Sequence, residues 1–435
     1  MSTQTQATPD GYRTSIAIIG ILFFIFGFVT WINGPLISFA KLAFNLDTDA
    51  KAFWVTTAFY LSYFFLALPS SWILERTGMK KGMALSLLVM AIGSFLFGTF
   101  ATQRNYELCL SGLFVVGSGL SLLQTASNPY ISIIGPIESA AARISIMGIC
   151  NKVAGIAAQL LLGGVVLSGA SALEAQLATT TDPAVRDGLL NDLAAKIHMP
   201  YMIMTGVLVA LAIWISRSPL PEIRPSETNR SEGGDTRGAS LWHYPHLWLG
   251  ALCIFMYVGA EVMAGDAIGT YARGFHIPLD ETKYFTGFTL AAMLVGYVIG
   301  IAVIPKFISQ QKALAISAIL GMLFSLGAYF TTSYVSVAFV VLLGLANAVM
   351  WPAIFPLGIR GLGALTEKGS AIMIMGIAGG ALIPRLFAVY KEQYNFQAVF
   401  CGLMLICYAY ILFFGLRGHR AKARSAMAAA AVPTA

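Results

Sequence analysis

Twelve apolar stretches, each long enough to cross a bilayer, divide nearly the whole of this 435-residue chain. A membrane helix needs about 20 mostly apolar residues. Windows of that size fall near 14–38, 53–74, 82–101, 107–133, 144–168, 199–216, 247–270, 284–304, 313–332, 335–358, 369–390 and 396–416. Only 11% of the residues are charged, whereas a soluble domain carries about 25%. The deficit runs along the whole length, so the chain reads as an all-α membrane protein with twelve transmembrane helices.

Two polar segments interrupt the series. Residues 217–246 hold Pro219, Pro221, Pro225, Gly233 and Gly234 among mixed charges and read as a flexible linker. They separate six spans (1–216) from six spans and a short tail (247–435). Residues 169–198 form a solvent loop. In it Asp182-Pro183 is a helix start, with proline at the first helical position, and Leu189, Leu190 and Leu193 mark a short surface helix. Basic residues orient the chain. With both termini cytoplasmic, the inner face collects Lys80, Lys81, Arg143, Lys306, Arg360 and others, about two to one over the outer face. The net charge of +7 then follows from topology, and no nucleic-acid partner is implied. Cys109, Cys150, Cys253, Cys401 and Cys407 all sit in apolar spans without a Cys-x-x-Cys pair and read as small buried hydrophobes.

Polar groups inside spans are costly unless they face protein or a wet cavity, so they point to a solute path. Gln124 and Asn128 precede Pro129 in span 4, and Asn347 and Trp351 precede Pro352 in span 10. Asn33 and Asn151 add two further amides. A side-chain amide donates and accepts, which matches a sugar hydroxyl. Trp31 and Trp351, with Tyr60 behind them, offer faces for the C–H side of a pyranose. For each asparagine the alternative is a helix-to-helix hydrogen bond, and for Trp31 an interfacial anchor. Pro129, Pro352, Pro356 and Pro384 are expected to kink their helices. Gly148, Gly155, Gly163 and Gly164 allow span 5 to pack closely.

Charges inside spans are few. Lys152 lies on span 5, Glu261 and Asp266 on span 7, and Arg385 on span 11. A lysine in hydrocarbon needs an acid opposite it. Glu261 and Asp266 are five residues apart and project about 140° apart on a helix, so only one of them can face Lys152. Glu261 is preferred because it falls nearer the membrane centre, with Asp266 the alternative. Such a pair either locks the bundle or exchanges partners as an ion or solute binds. His198, His243, His246, His276 and His419 lie at or beyond span ends, and no metal, cofactor or catalytic constellation is expected. No phosphate-binding loop is present to couple ATP.

Glu75-Arg76-Thr77-Gly78-Met79-Lys80-Lys81, just after span 2, resembles the signature loop of the major facilitator superfamily, with departures at Ser71 and Met79. That resemblance implies a cytoplasmic gate at Glu75 and Arg76. The run Gln124 to Tyr130 with Gly135-Pro136, and Leu68-Pro69, Arg143 to Asn151, Tyr257 to Glu261, Trp351 to Ile359 and Gly379 to Pro384, resembles the fucose permease and glucose/galactose permease family. The resemblance implies two six-helix halves, alternating access, and a sugar permease of the bacterial inner membrane, usually proton-coupled. Fucose permease has an acid in an Asn-Asp pair where this chain has Asn33-Gly34, and a glutamate where it has Gln124. Both departures argue against L-fucose and against the usual proton site. The expectation is import of a hexose or N-acetylhexosamine by a monomer in lipid, coupled to H+ or Na+ through Glu261 and Asp266. An uncoupled facilitator and a membrane sugar sensor stand as alternatives, and an intramembrane enzyme finds no candidate residues.

Overall fold

The computed structural model describes residues 9–133, 140–223, 240–304, 306–362 and 365–420. Gly135-Pro136, the linker from 224 to 239 with Pro225, Gly233 and Gly234, and the tail beyond 420 lie outside them. Twelve helices among the described residues are long and apolar enough to span a membrane. Their apolar exterior, with Phe65, Ile92, Leu160 and Val298 all more than half exposed, is what a hydrocarbon solvent requires.

The packing repeats with an offset of six spans. Span 3 (Met79–Thr102) packs on span 4 (Tyr106–Ile133) and span 6 (His198–Arg217), and span 9 (Gln310–Phe330) packs on spans 10 and 12. Span 2 (Trp54–Thr77) packs on span 4 as span 8 (Phe285–Val303) packs on span 10. Span 1 packs on span 5 as span 7 packs on span 11. Between the halves, span 5 meets span 8 and span 2 meets span 11. The same offset exchanges these two contacts, so the bundle is two six-helix halves related by a pseudo-two-fold.

The chain breaks its helices where it must bury polar backbone. Span 1 runs Pro9–Trp31, turns at Ile32, and resumes as Asn33–Ala43. Pro35 has no N–H for the Trp31 carbonyl. The Gln159 side-chain amide, from a π-helical turn Gln159–Gly163 on span 5, donates to that carbonyl instead. Asn33 Nδ2 covers the Thr30 carbonyl at 3.0 Å. Span 7 runs Pro245–Gly265, turns at Asp266 and Ala267, and resumes as Ile268–Arg273. Its freed carbonyls at Ala264 and Gly265 accept from Thr289 Oγ1 (3.0 Å) and Thr286 Oγ1 (2.8 Å) of span 8. Span 10 runs Ser333–Asn347 and Met350–Ile359; Pro356 frees the Pro352 carbonyl, which Gln310 Nε2 covers at 2.7 Å. These freed carbonyls are covered by side chains, as a dry interior demands.

The segment after span 5 forms two helices where one was expected. Ala170–Thr179 is alanine-rich and lacks an apolar period to announce it. Pro183–Lys196 starts as the sequence indicates, with Asp182 capping Ala184 N at 2.9 Å and Leu190 and Leu193 buried. At this end of the bundle the halves are bridged by polar contacts. Arg273 makes a two-pronged pair with Glu174 (2.9 and 3.1 Å), Lys391 pairs with Asp49, Arg385 lies over Trp54 and donates to the Ala50 carbonyl (3.0 Å), and Ser171 and Asp280 exchange hydrogen bonds. At the opposite, linker end the cross-half polar contact among the described residues is Ser71 Oγ to Glu367 Oε1, 3.4 Å.

Small residues set the approach distances. A Cβ on Gly117 would run into the Phe59 carbonyl and the Ser62 hydroxyl of span 2, while one on Gly402 would meet nothing within 4 Å. Gly117→Val should therefore lower the melting temperature of the detergent-purified protein by an overpacking cost of about 1–3 kcal/mol. Gly402→Ala should leave the stability unchanged or raise it by about 0.5–1 kcal/mol, the helix-propensity gain, with the melting temperature unchanged or higher.

Candidate functional site

A narrow cavity of about 80 Å³ lies between the halves. Span 1 contributes Phe23, Phe26, Thr30 and Trp31; spans 2 and 4 contribute Tyr60, Tyr63, Gln124 and Asn128. Span 5 adds Asn151 and Lys152, span 7 adds Tyr257 and Glu261, and Tyr297 and Trp351 close the far side.

The charged centre is an ion pair between the halves. Lys152 Nζ lies 2.9 Å from Glu261 Oε1, with the two side chains 6% and 11% exposed. The same ammonium sits 4.2 Å from the centroid of the Trp31 ring. Trp31 Nε1 donates to Asn151 Oδ1 at 3.0 Å. The ring is packed where Gly155 and Gly265 leave room: a Cβ on either would fall 2.7 Å and 2.5 Å from its carbons. Trp31 is thus wedged between spans 5 and 7, held by an amide, and capped by a cation. Trp31 also lines the cavity, so the ring that contacts Asn151 and Lys152 borders the space as well.

The expected residues divide cleanly. Gln124, Asn128, Asn151, Trp351, Lys152 and Glu261 line the cavity, and Gln124 Nε2 donates to Tyr63 OH at 2.8 Å. Trp351 is half-buried and stacks on Phe355 at 5.6 Å, with a face toward the space that Tyr257 borders at 6.4 Å. Asn33 and Asn347 do not line the cavity. Asn33 is spent on the Thr30 carbonyl at the break in span 1, and Asn347, fully buried, accepts from Tyr408 OH at 2.9 Å. Asp266 is not part of the Lys152 pair; it lies past the end of the span 7 helix, 2% exposed. Glu75 and Arg76 are exposed, and Arg76 lies 3.7 Å over Trp72 of its own helix rather than across the halves. The signature-like loop binds elsewhere. Gly78, at φ +82, lets the Glu222 carboxylate reach Lys80 N at 2.9 Å, an acid at the N-terminus of span 3.

Tyr63, Tyr257, Tyr297 and Thr30 are cavity residues beyond those singled out from sequence. A tyrosine in an apolar span carries no signal that separates a cavity hydroxyl from a packed ring. The completed wall combines amides, phenols, one flat indole and a neutralised ion pair. That chemistry suits an uncharged, hydroxyl-bearing solute with an apolar face.

A twelve-span bundle of two related halves enclosing a polar cavity at their interface is the architecture of a secondary transporter. The chain belongs to the major facilitator superfamily, whose family model it matches over residues 19–382, and it is a transporter, not an enzyme. It is 32% identical over 423 residues to the glucose/galactose transporter of Brucella abortus biovar 1 (strain 9-941), covering 97% of each chain. It is 26% identical over 413 residues to the L-fucose-proton symporter of Escherichia coli (strain K12), covering 93% of this chain and 92% of that one. The crystal structure of FucP, a major facilitator superfamily transporter in the outward conformation, superposes with a TM-score of 0.74 at 25% identity, covering 94% of this chain and 99% of that one.

Removing one partner of the buried pair leaves the other charge stranded, a loss of about 3–5 kcal/mol. Glu261→Gln and Lys152→Met should each lower the melting temperature accordingly. The double variant Lys152→Met with Glu261→Leu should recover most of the loss, as paired replacement by apolar groups does. A double variant no more stable than either single one would refute the pairing as the source of the cost.

Proposed function

We propose that this protein imports a monosaccharide, a hexose or an N-acetylhexosamine, across a bacterial inner membrane by symport with H+ or Na+. The observation that carries the reading is the cavity wall. Gln124, Asn128 and Asn151 present amides, and Tyr63, Tyr257 and Tyr297 present hydroxyls, around one accessible indole face at Trp351. The Brucella relative is named as a glucose/galactose transporter and the Escherichia coli one as an L-fucose-proton symporter, and sugar transport fits both.

In this reading a pyranose lays its C–H face on Trp351 and exchanges hydrogen bonds with the three amides. Asn151 already accepts from Trp31, and Lys152 already bonds Glu261. A sugar hydroxyl that competes for either loosens the contact between spans 1, 5 and 7. With both termini cytoplasmic, the polar bridges of Glu174, Arg273, Asp49 and Lys391 close the outer end. Import then requires those bridges to part while the linker end closes, so that the cavity faces each side in turn.

Uncoupled facilitation is the second reading, and it rests on the same ion pair. Lys152 and Glu261 neutralise each other at 2.9 Å, so both can serve structure alone. Uptake of labelled sugars into proteoliposomes under imposed proton or sodium gradients separates the two. Accumulation of one sugar above its outside concentration, abolished by collapsing one gradient, is the expected result, and equilibration under every gradient would establish the facilitator. Gln124→Ala and Asn151→Ala should each abolish the protection that the transported sugar gives the purified protein against heat. Unchanged protection would move the sugar site away from this wall.

A further inference from the structure

The breaks in spans 1 and 7 meet, and one carboxylate lies at the junction with no ion-pair partner among the described residues. Asp266 is 2% exposed, no side chain hydrogen-bonds either of its oxygens, and the Gly34 N–H is the backbone donor beside them. A bare carboxylate cannot persist in so dry a place; it takes up a cation or a proton. Glu261 differs in this respect, since Lys152 already neutralises it.

The surroundings of Asp266 are rich in oxygen. A Cβ on Gly34 would lie 3.3 Å from Asp266 Oδ1 and 2.7 Å from Thr286 Oγ1, so glycine at that position leaves the room the carboxylate occupies. Thr286 Oγ1 is in turn bonded to the Gly265 carbonyl, exposed by the helix break. The neighbour of Gly34, Asn33, is fully buried beside the Tyr60 phenol. Carboxylate, amide, hydroxyl and carbonyl oxygens are the ligands of hard cations, and interrupted membrane helices are where transporters coordinate their coupling ions. The charged and titratable groups in electrostatic range of Asp266 are Glu261 and Lys152, which are paired with each other, and the Tyr60 phenol of span 2.

We propose that Asp266 is the cation site of this transporter, holding one monovalent cation, a sodium ion or a proton, at the junction of the two broken helices. The proposal rests on the symport reading and gives it a location. Its link to the cavity is short on both sides. Thr30 and Trp31 line the cavity, and Asn33 bonds the Thr30 carbonyl two residues before Pro35. Gly265, the residue before Asp266, packs against the Trp31 ring, which holds Asn151 and Lys152. Neutralising Asp266 lets the two breaks close on each other, and Trp31 carries that change to the sugar wall.

The test needs no sugar, so it is independent of substrate identity. The melting temperature of the purified full-length protein is measured in sodium chloride and in N-methylglucamine chloride across a pH series. The expected result is a sodium-specific rise, for a sodium site, or a pH-dependent change indifferent to sodium, for a proton site; Asp266→Asn loses whichever response the wild type shows. Because Asp266→Asn alone can impair folding, a relocated carboxylate is tested beside it: Gly34→Asp in an Asp266→Gly background should restore the response. Wild-type sodium and pH responses in Asp266→Asn would overturn the proposal, as would a wild type with neither response. If the cation response is present and lost with Asp266 while no sugar of the panel is transported, the cation site stands and the sugar reading fails.

Discussion

A carbonyl inside a bilayer has no water to turn to, and the architecture of this transporter follows from how it meets that constraint. Pro35 takes away the donor that the Trp31 carbonyl would have had, and Gln159 supplies another from span 5. That substitution lets span 1 bend at Ile32 without stranding the Trp31 carbonyl, and the bend puts Trp31 across the interface of spans 5 and 7. The same solution recurs at Ala264 and Gly265, covered by Thr289 and Thr286, and at Pro352, covered by Gln310. Each irregularity is stabilised by a side chain on another span. The polar residues of the bundle are therefore divided between two tasks, repairing backbone and facing the cavity.

That division explains what could be read from the sequence. The spans were legible because hydrocarbon imposes a length and a composition that few other folds mimic, and the twelve windows reappear as twelve helices. The basic signals of the site were legible too. Lys152 needed an acid, and the geometry of two carboxylates five residues apart left Glu261 as the one nearer the middle; the structure has them at 2.9 Å. Gln124, Asn128 and Asn151 stood out as amides in apolar surroundings and do line the cavity.

Asn33 and Asn347 carried the same signal and do not. An amide that repairs a break and an amide that greets a solute look identical in sequence, because the difference lies in which carbonyl has lost its donor. Pro35, two residues on, was the clue for Asn33, since it marks the place where the ladder fails. For Asn347 no local clue exists, because its partner Tyr408 lies on span 12. The phenols were hidden for a different reason. Tyr63, Tyr257 and Tyr297 are apolar enough to belong in any span, and only the pairing of the halves shows their hydroxyls turned inward. Trp31 lines the cavity and is also packed between two helices where Gly155 and Gly265 leave room, a second role that no sequence signal announces.

The end of the bundle away from the linker is bridged by charged groups of the two halves. Arg273 and Glu174 are each about one-third exposed, and their attraction is correspondingly screened. A pair so exposed is worth roughly 0–1 kcal/mol, whereas Lys391 and Asp49, about one-seventh exposed, are more sheltered, and on separation the partners of both pairs regain hydration. A greasy closure of equal area would instead resist opening in proportion to the surface it hid. Parting here trades one set of solvated contacts for another at nearly constant free energy. The two orientations of the cavity can then lie close to degenerate, and a ligand with modest preference for one of them suffices to tip the balance.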